Sequence, residues 1–333
     1  MAVWNLSTES ASNLAGGFPM NSKSQSILFL SMCLLIFTSV CCADVEGKKM
    51  PEIVAPNNSS NINKSLTNNS LSKDDLDKHI EELKKKLPNK DFNIVIQSPF
   101  VVIGDDTPEA VKQHSERTVK WAVDKLKKIY FSKNPNDILD IWLFKNEISY
   151  YKYAKEVFSD TPTTPYGYYS PSHKALIMNI GTGGGTLVHE IVHPFIATNF
   201  PDCPSWFNEG LASLYEQSGE VDGNIHGFTN WRLSGLQRAI QKKTNPTFKT
   251  LLSTTDKQFY DDDTGVHYAE ARYLCYYLQE KGLLVKFYQE FTKNSATDPT
   301  GYKTLQKVLG ERNMITFQQN WEAYILKLRV GND

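Results

Sequence analysis

Cysteine is scarce in this chain, with five among 333 residues. Cys33, Cys41 and Cys42 fall inside one apolar run, which leaves only Cys203 and Cys275 for the rest of the sequence. A disulfide framework is therefore excluded as the basis of the fold. Excess charge is also missing: 36 basic residues face 37 acidic ones, for a net charge of −1. No basic footprint for nucleic acid or for an anionic membrane surface is present. The apolar run Ile27–Ala43 falls short of the ~20 residues that a comfortable membrane span needs. Histidine is rare as well, at seven residues, which gives weight to any pair of histidines at functional spacing.

The run Ile27–Ala43 fits the apolar region of a signal peptide, with Lys23 just ahead of it and cleavage expected after Ala43. A start at Met20 gives a signal peptide of more ordinary length. An uncleaved anchor over residues 27–43, or a lipid on Cys41 or Cys42, is the alternative route to the same side of the membrane. Either way the chain is expected to be exported: periplasmic, secreted or in the cell envelope. Residues 44–90 read as a flexible Asn/Ser/Lys-rich linker with glycosylation sequons at Asn57, Asn58, Asn63 and Asn68. A short charged helix over Asp74–Leu87, a solvated arm, closes this stretch.

The residues with chemistry start at His189-Glu190-Ile191-Val192-His193. On a helix, side chains four apart lie one above the other. His189 and His193 can thus aim imidazole nitrogens at one metal, with Glu190 beside them and in reach of a water. Zn2+ suits such a set, because it accepts neutral imidazoles and keeps a position open for water. Thr186 is the expected cap of this helix, and Leu187, Val188, Ile191, Val192, Phe195 and Ile196 give it apolar flanks. Pro194 predicts a kink or an early end. Gly183–Gly185 lack the lysine and spacing of a phosphate loop and read as a flexible connection.

A third ligand is required. A metzincin needs Gly at position 196 and His at 199, but the chain has Ile196 and Asn199. The chain continues instead to Pro204-Ser205-Trp206-Phe207-Asn208-Glu209-Gly210-Leu211-Ala212, with fifteen residues between His193 and Glu209. That interval allows the first helix to end, turn, and return as a second one capped by Ser205. Glu209 is then the expected third ligand, and Glu216, two turns on, is the fallback.

Together, HEIVH and WFNEGLASLYE resemble the gluzincin zinc metallopeptidases, above all the peptidase MA-like families with a W-x-N-E-G-L-A signature. The resemblance runs from about Phe100 to Leu278. It implies His189, His193 and Glu209 as zinc ligands and Glu190 as general base of peptide hydrolysis. It also implies an α+β, zincin-like, two-lobed fold. On this view residues 91–217 form the catalytic lobe, a small mixed sheet with helices, and residues 218–333 form an all-helical C-terminal lobe. Pro194 and the short interval to Glu209 depart from the thermolysin and aminopeptidase pattern.

Around the motifs, Phe92–Ile96, Phe100–Ile103 and Ile138–Phe144 read as strands and Pro108–Phe131 as an amphipathic helix. Tyr150–Phe158 reads as a short helix, and Tyr168–Asn179 as a hairpin turning at Pro171–Lys174. In peptidases of this kind the strand before the motif helix edges the cleft, which makes Lys174–Asn179 the expected support for an extended peptide. Helices are expected from Thr229 to Val330. Tyr268, opening one of them, is the candidate donor to the oxyanion, with His267 as its rival. Tyr273, Tyr276 and Tyr277 are expected in the core, and Cys203 and Cys275 could pair in an oxidising compartment. The expected partner is a peptide or protein substrate. Two other readings stay open: a non-catalytic exported binding or structural protein on the same fold, and a zinc amidase acting on a cell-wall amide.

Overall fold

A computed structural model of the chain describes residues 73–262 and 264–331. The expected signal peptide, the start at Met20 and the linker with its sequons lie outside the described residues. The fold is mixed α+β, built on one five-stranded sheet and many helices.

The sheet runs β1 (Asn93–Gln97), β2 (Phe100–Gly104), β3 (Leu139–Phe144), β4 (Gly167–Ser170) and β5 (Ala175–Asn179), in the spatial order β1-β2-β3-β5-β4. The three central strands β2, β3 and β5 are parallel, and β1 and β4 flank them antiparallel. Alternation along the central strands sends side chains to two separate cores. Phe100, Val102, Ile141, Leu143, Leu176 and Met178 face the larger core. Val101, Ile103, Trp142, Phe144, Ala175 and Ile177 face the smaller one. This is why the central strands read as nearly continuous apolar runs.

The smaller core is covered by α4 (Glu147–Phe158) and by α1 (Lys73–Lys86). Helix α1 is not a solvated arm, as its charge suggested. Leu83 is buried, Leu76 packs beside it, and His79 Nε2 lies 2.7 Å from Asp140 Oδ1 at the start of β3. Three leucines on a charged helix, counting Leu87 just after it, are enough to dock it.

On the opposite face lie α2 (Pro108–His114), one π turn over Ser115–Lys120, α3 (Trp121–Ile129), and the two motif helices α5 (Gly185–Asn199) and α6 (Ser205–Leu214). Beyond them the chain is not all helical. Strands β6 (Ser218–Val221) and β7 (Asn224–Gly227) form a hairpin. Its turn residues Asp222 and Gly223 have φ of 50° and 75°, the left-handed pair that a two-residue hairpin loop demands. Lys125 and Lys128 both donate to Gly223 O.

The remaining helices are α7 (Arg232–Lys242), α8 (Phe248–Leu252), α9 (Asp256–Tyr260), α10 (Val266–Glu280), α11 (Leu284–Asn294), α12 (Tyr302–Leu309) and α13 (Met314–Ile325). They contribute to the same large core as the sheet, which runs from Phe100 to Ile325 without a break. Gly210 makes the junction between α6 and α10 possible: a Cβ there would stand 2.9 Å from Ala271 O. No helix among the described residues is long and apolar enough to cross a membrane.

Candidate metal centre

Helix α5 begins where β5 ends, after a single 3-10 turn at Ile180–Thr182. Thr186 does not cap it. Gly184 occupies the cap position without a side-chain bond, because the helix starts one residue before Thr186. Gly185 is pressed against the end of α6: a Cβ there would meet Glu216 O at 2.2 Å. So close an approach only glycine permits. Pro194 neither ends nor shortens the helix, which continues to Asn199. There Asn199 Nδ2 donates to Phe195 O and Lys133 O. Ser205 likewise is not a cap but the first helical residue of α6, after Pro204. Its Oγ donates to Asp256 Oδ1 at 2.6 Å and ties α6 to α9.

These helices bring His189, His193 and Glu209 together, with one ligand atom from each lying within 4.8 Å of the others. The group is buried and could hold a metal ion. Glu209 Oε2 is 3.2 Å from His189 Nε2 and 3.9 Å from His193 Nε2. Each ligand has its own outer partner. Asn208 Oδ1 lies 3.0 Å from His193 Nδ1, Tyr260 OH donates to Glu209 Oε1 at 2.9 Å, and Glu216 Oε1 lies 3.2 Å from His189 Nδ1.

Those partners decide where the protons sit. With an acceptor beside each Nδ1, a neutral imidazole at either position carries its hydrogen there and turns the Nε2 lone pair toward the shared space. Glu209 Oε2 is buried and has no hydrogen-bond donor. With both imidazoles neutral, two nitrogen lone pairs and a carboxylate oxygen converge on one buried point, a donor set that suits a cation. The residues fit a metal ion.

In the protein alone the same groups act on one another. Burial opposes charge on His189, but the bonds and charges of Glu209 and Glu216 outweigh it and raise its pKa to about 10. Burial also works to raise Glu209, yet the two imidazoles and Tyr260 hold it at about 2. Glu190 is pushed up by burial, with the imidazoles opposing and Glu209 and Glu216 adding to the rise.

Glu216 is occupied elsewhere. Arg232 grips it with Nε on Oε2 at 2.9 Å and Nη2 on Oε1 at 2.7 Å, and Asn230 Nδ2 adds a third contact at 3.3 Å. Glu216 therefore stands behind His189 rather than beside the ligand atoms. Tyr268 packs near the centre, its ring 5.1 Å from Phe259 and 5.3 Å from the Arg232 guanidinium. Burial, together with the charges of Glu209 and Glu190, pushes its hydroxyl far above the ordinary tyrosine range, so it stays protonated. His267 is turned toward Phe259, with its ring stacked 5.7 Å away and Nδ1 3.4 Å from the Phe259 carbonyl.

Tyr260, Asn208 and Arg232 were not singled out from sequence. Only Asn208 carried a signal, by lying next to Glu209. Among the strands, Lys174–Asn179 is not the edge: β5 is paired on both sides, by β3 and β4, and the edge strand on that side is β4. Cys203 and Cys275 are free thiols. Tyr273 and Tyr276 are in the core and Tyr277 lies against it, as expected. Comparison with protein-family models and with curated proteins gives no match.

Proposed function

We propose that this chain is an exported zinc-dependent peptidase of the gluzincin type, built on a two-lobed zincin-like fold. The observation that carries the reading is the buried, donorless Glu209 Oε2 facing two imidazole nitrogens. His189, His193 and Glu209 would hold the ion, and two nitrogens with one carboxylate oxygen are a donor set that zinc favours at catalytic sites. When bound, zinc supplies a Lewis acid for the scissile carbonyl and lowers the pKa of a water.

The chain's own residues do the rest. Glu190 takes the proton from the attacking water and delivers it to the leaving amine. Its buried setting raises its proton affinity, which suits a group that must first accept and then give up a proton. Tyr268 keeps its hydroxyl hydrogen and donates it to the oxygen that gains charge. Asn208, Tyr260 and Glu216 hold the three ligands in place. An extended substrate adds to the free edge of β4, with main-chain hydrogen bonds fixing its path.

The test uses chain from residue 44 onward. It measures zinc by mass spectrometry and cleavage of a mixed peptide library, for wild type, Glu190→Gln and Glu209→Ala. The expected result is about one zinc per chain, retained in Glu190→Gln but with cleavage abolished, and lost in Glu209→Ala. Cleavage by Glu190→Gln at the wild-type rate refutes the mechanism. Zinc without cleavage of any peptide redirects the reading to a cell-wall amide or to a binding role.

A further inference from the structure

The three outer partners of the ligand set differ in kind. Asn208 is neutral, and Tyr260 is a neutral donor. Glu216 alone is a carboxylate, and both its oxygens are held by the fork of Arg232. The Arg232 guanidinium in turn lies over two rings, 4.3 Å from the centre of Trp231 and 5.3 Å from that of Tyr268. The segment carrying it is pinned at Asn230, whose main-chain N donates to the buried Tyr273 hydroxyl at 3.0 Å.

We propose that Glu216, gripped by Arg232, is a positioning residue that fixes the rotation of His189 and, through the stack of Arg232 on Tyr268, joins metal holding to the placement of the Tyr268 hydroxyl. The inference rests on the metal-centre reading above.

Two observations carry it. His189 Nδ1 is buried and makes no well-angled hydrogen bond, and the Glu216 carboxylate oxygen stands 3.2 Å from it. A buried N–H needs an acceptor, and Glu216 is the one placed to serve. Glu216 is also unable to swing inward as a substitute ligand, because Arg232 claims both oxygens in a bidentate bond that lysine could not copy. Gly185 completes the device, since its missing Cβ lets the first turn of α5 touch the Glu216 main chain. The outer carboxylate and the ligand it serves are thereby held at fixed separation. Such outer partners typically change metal affinity by about 10–100-fold.

The experiment measures zinc affinity by competition with a chelating dye, and the visible spectrum of the cobalt-substituted protein, for wild type and Glu216→Gln. Glutamine keeps the shape but loses the charge. The double variant Glu216→Gln/Arg232→Met removes both charges, so no buried arginine is left uncompensated and the fold is retained. Thermal melting of the metal-free proteins checks this. The expected result is zinc binding weakened about 10–100-fold in both variants, with a shifted cobalt band because His189 is no longer held at one angle. Wild-type affinity and an unchanged cobalt band in the folded double variant overturn the proposal. A wild-type chain that takes up neither metal overturns the metal centre itself, and that result is read from the wild type alone.

Discussion

Replacing Gly185 with alanine tests the packing that sets the metal centre. The added Cβ would stand 2.2 Å from Glu216 O, more than ~1 Å inside ordinary contact distance. Both atoms are anchored to main chain, so α5 and the end of α6 must separate. Overpacking of this kind costs about 1–3 kcal/mol, or a fall of about 3–10 °C in Tm for a domain of this size. Because Gly185 lies one turn before His189, the same movement pulls the Glu216 carboxylate away from Nδ1. Zinc affinity should fall roughly tenfold.

The two neighbouring glycines are built-in controls. Gly183 has φ of 103° with no atom near its would-be Cβ, so alanine there strains the backbone by about 1–3 kcal/mol without moving Glu216. Gly184 has φ of −83°, and the atoms nearest its would-be Cβ belong to the Thr118 side chain, which can give way, so its alanine variant should change stability by less than ~0.5 kcal/mol. Calorimetry and zinc competition on the three variants form the assay. A Gly185→Ala protein that melts and binds zinc like wild type refutes the reasoning, and so does a Gly183→Ala protein that loses as much zinc affinity.

Three further predictions follow from other contacts. Tyr260→Phe removes the hydrogen bond to Glu209 Oε1; a bond to a charged group contributes about 1.5–3 kcal/mol, so isothermal titration should show zinc binding weaker by about tenfold or more, with the fold intact. Burial, reinforced by the charge of Glu322, pushes the fully buried Glu270 carboxyl well above its usual 4.5. A raised folded pKa gives a contribution fully present below about pH 4.5 and lost as pH rises through the folded value. Glu270→Gln should therefore flatten the decline of Tm above that pH, and parallel curves for the two proteins would rule this out. Leu83→Asp should undock α1 from the smaller core; limited proteolysis should then cut ahead of Asn93 faster, while zinc content stays unchanged.

Local patterns made much of this legible. The apolar runs of β2, β3 and β5 were readable because a strand buried on both faces must be apolar on both. His189, His193 and Glu209 were readable as a set because ligand spacing is a local constraint. What escaped depends on contacts far apart in sequence. Nothing near Tyr260 says that its hydroxyl reaches Glu209, 51 positions away. Nothing near Arg232 says that it grips Glu216. The glycines 183–185 looked alike, yet one supplies a left-handed φ, one a helix start and one a close approach. The β6–β7 hairpin was different: its Asp222-Gly223 signal was present but outweighed by the helical pattern around it. The charge of α1 likewise outweighed its two leucines and Leu87 just after it.

The large core that runs from Phe100 to Ile325 also bears on how the chain comes to life on the ribosome. His189 and His193 are made before the C-terminal elements that complete the core around them. Trp206, beside the Glu209 turn, packs on Phe287 and Phe291 of α11, and its indole donates to Thr300 O. Tyr273 of α10 accepts from Trp321 near the end of the described chain. A growing polypeptide therefore carries both histidines while its last 140 residues are still being made, before that core is complete. A break late in the message therefore takes away the packing partners of Trp206 and Tyr273 although both motifs have already been made.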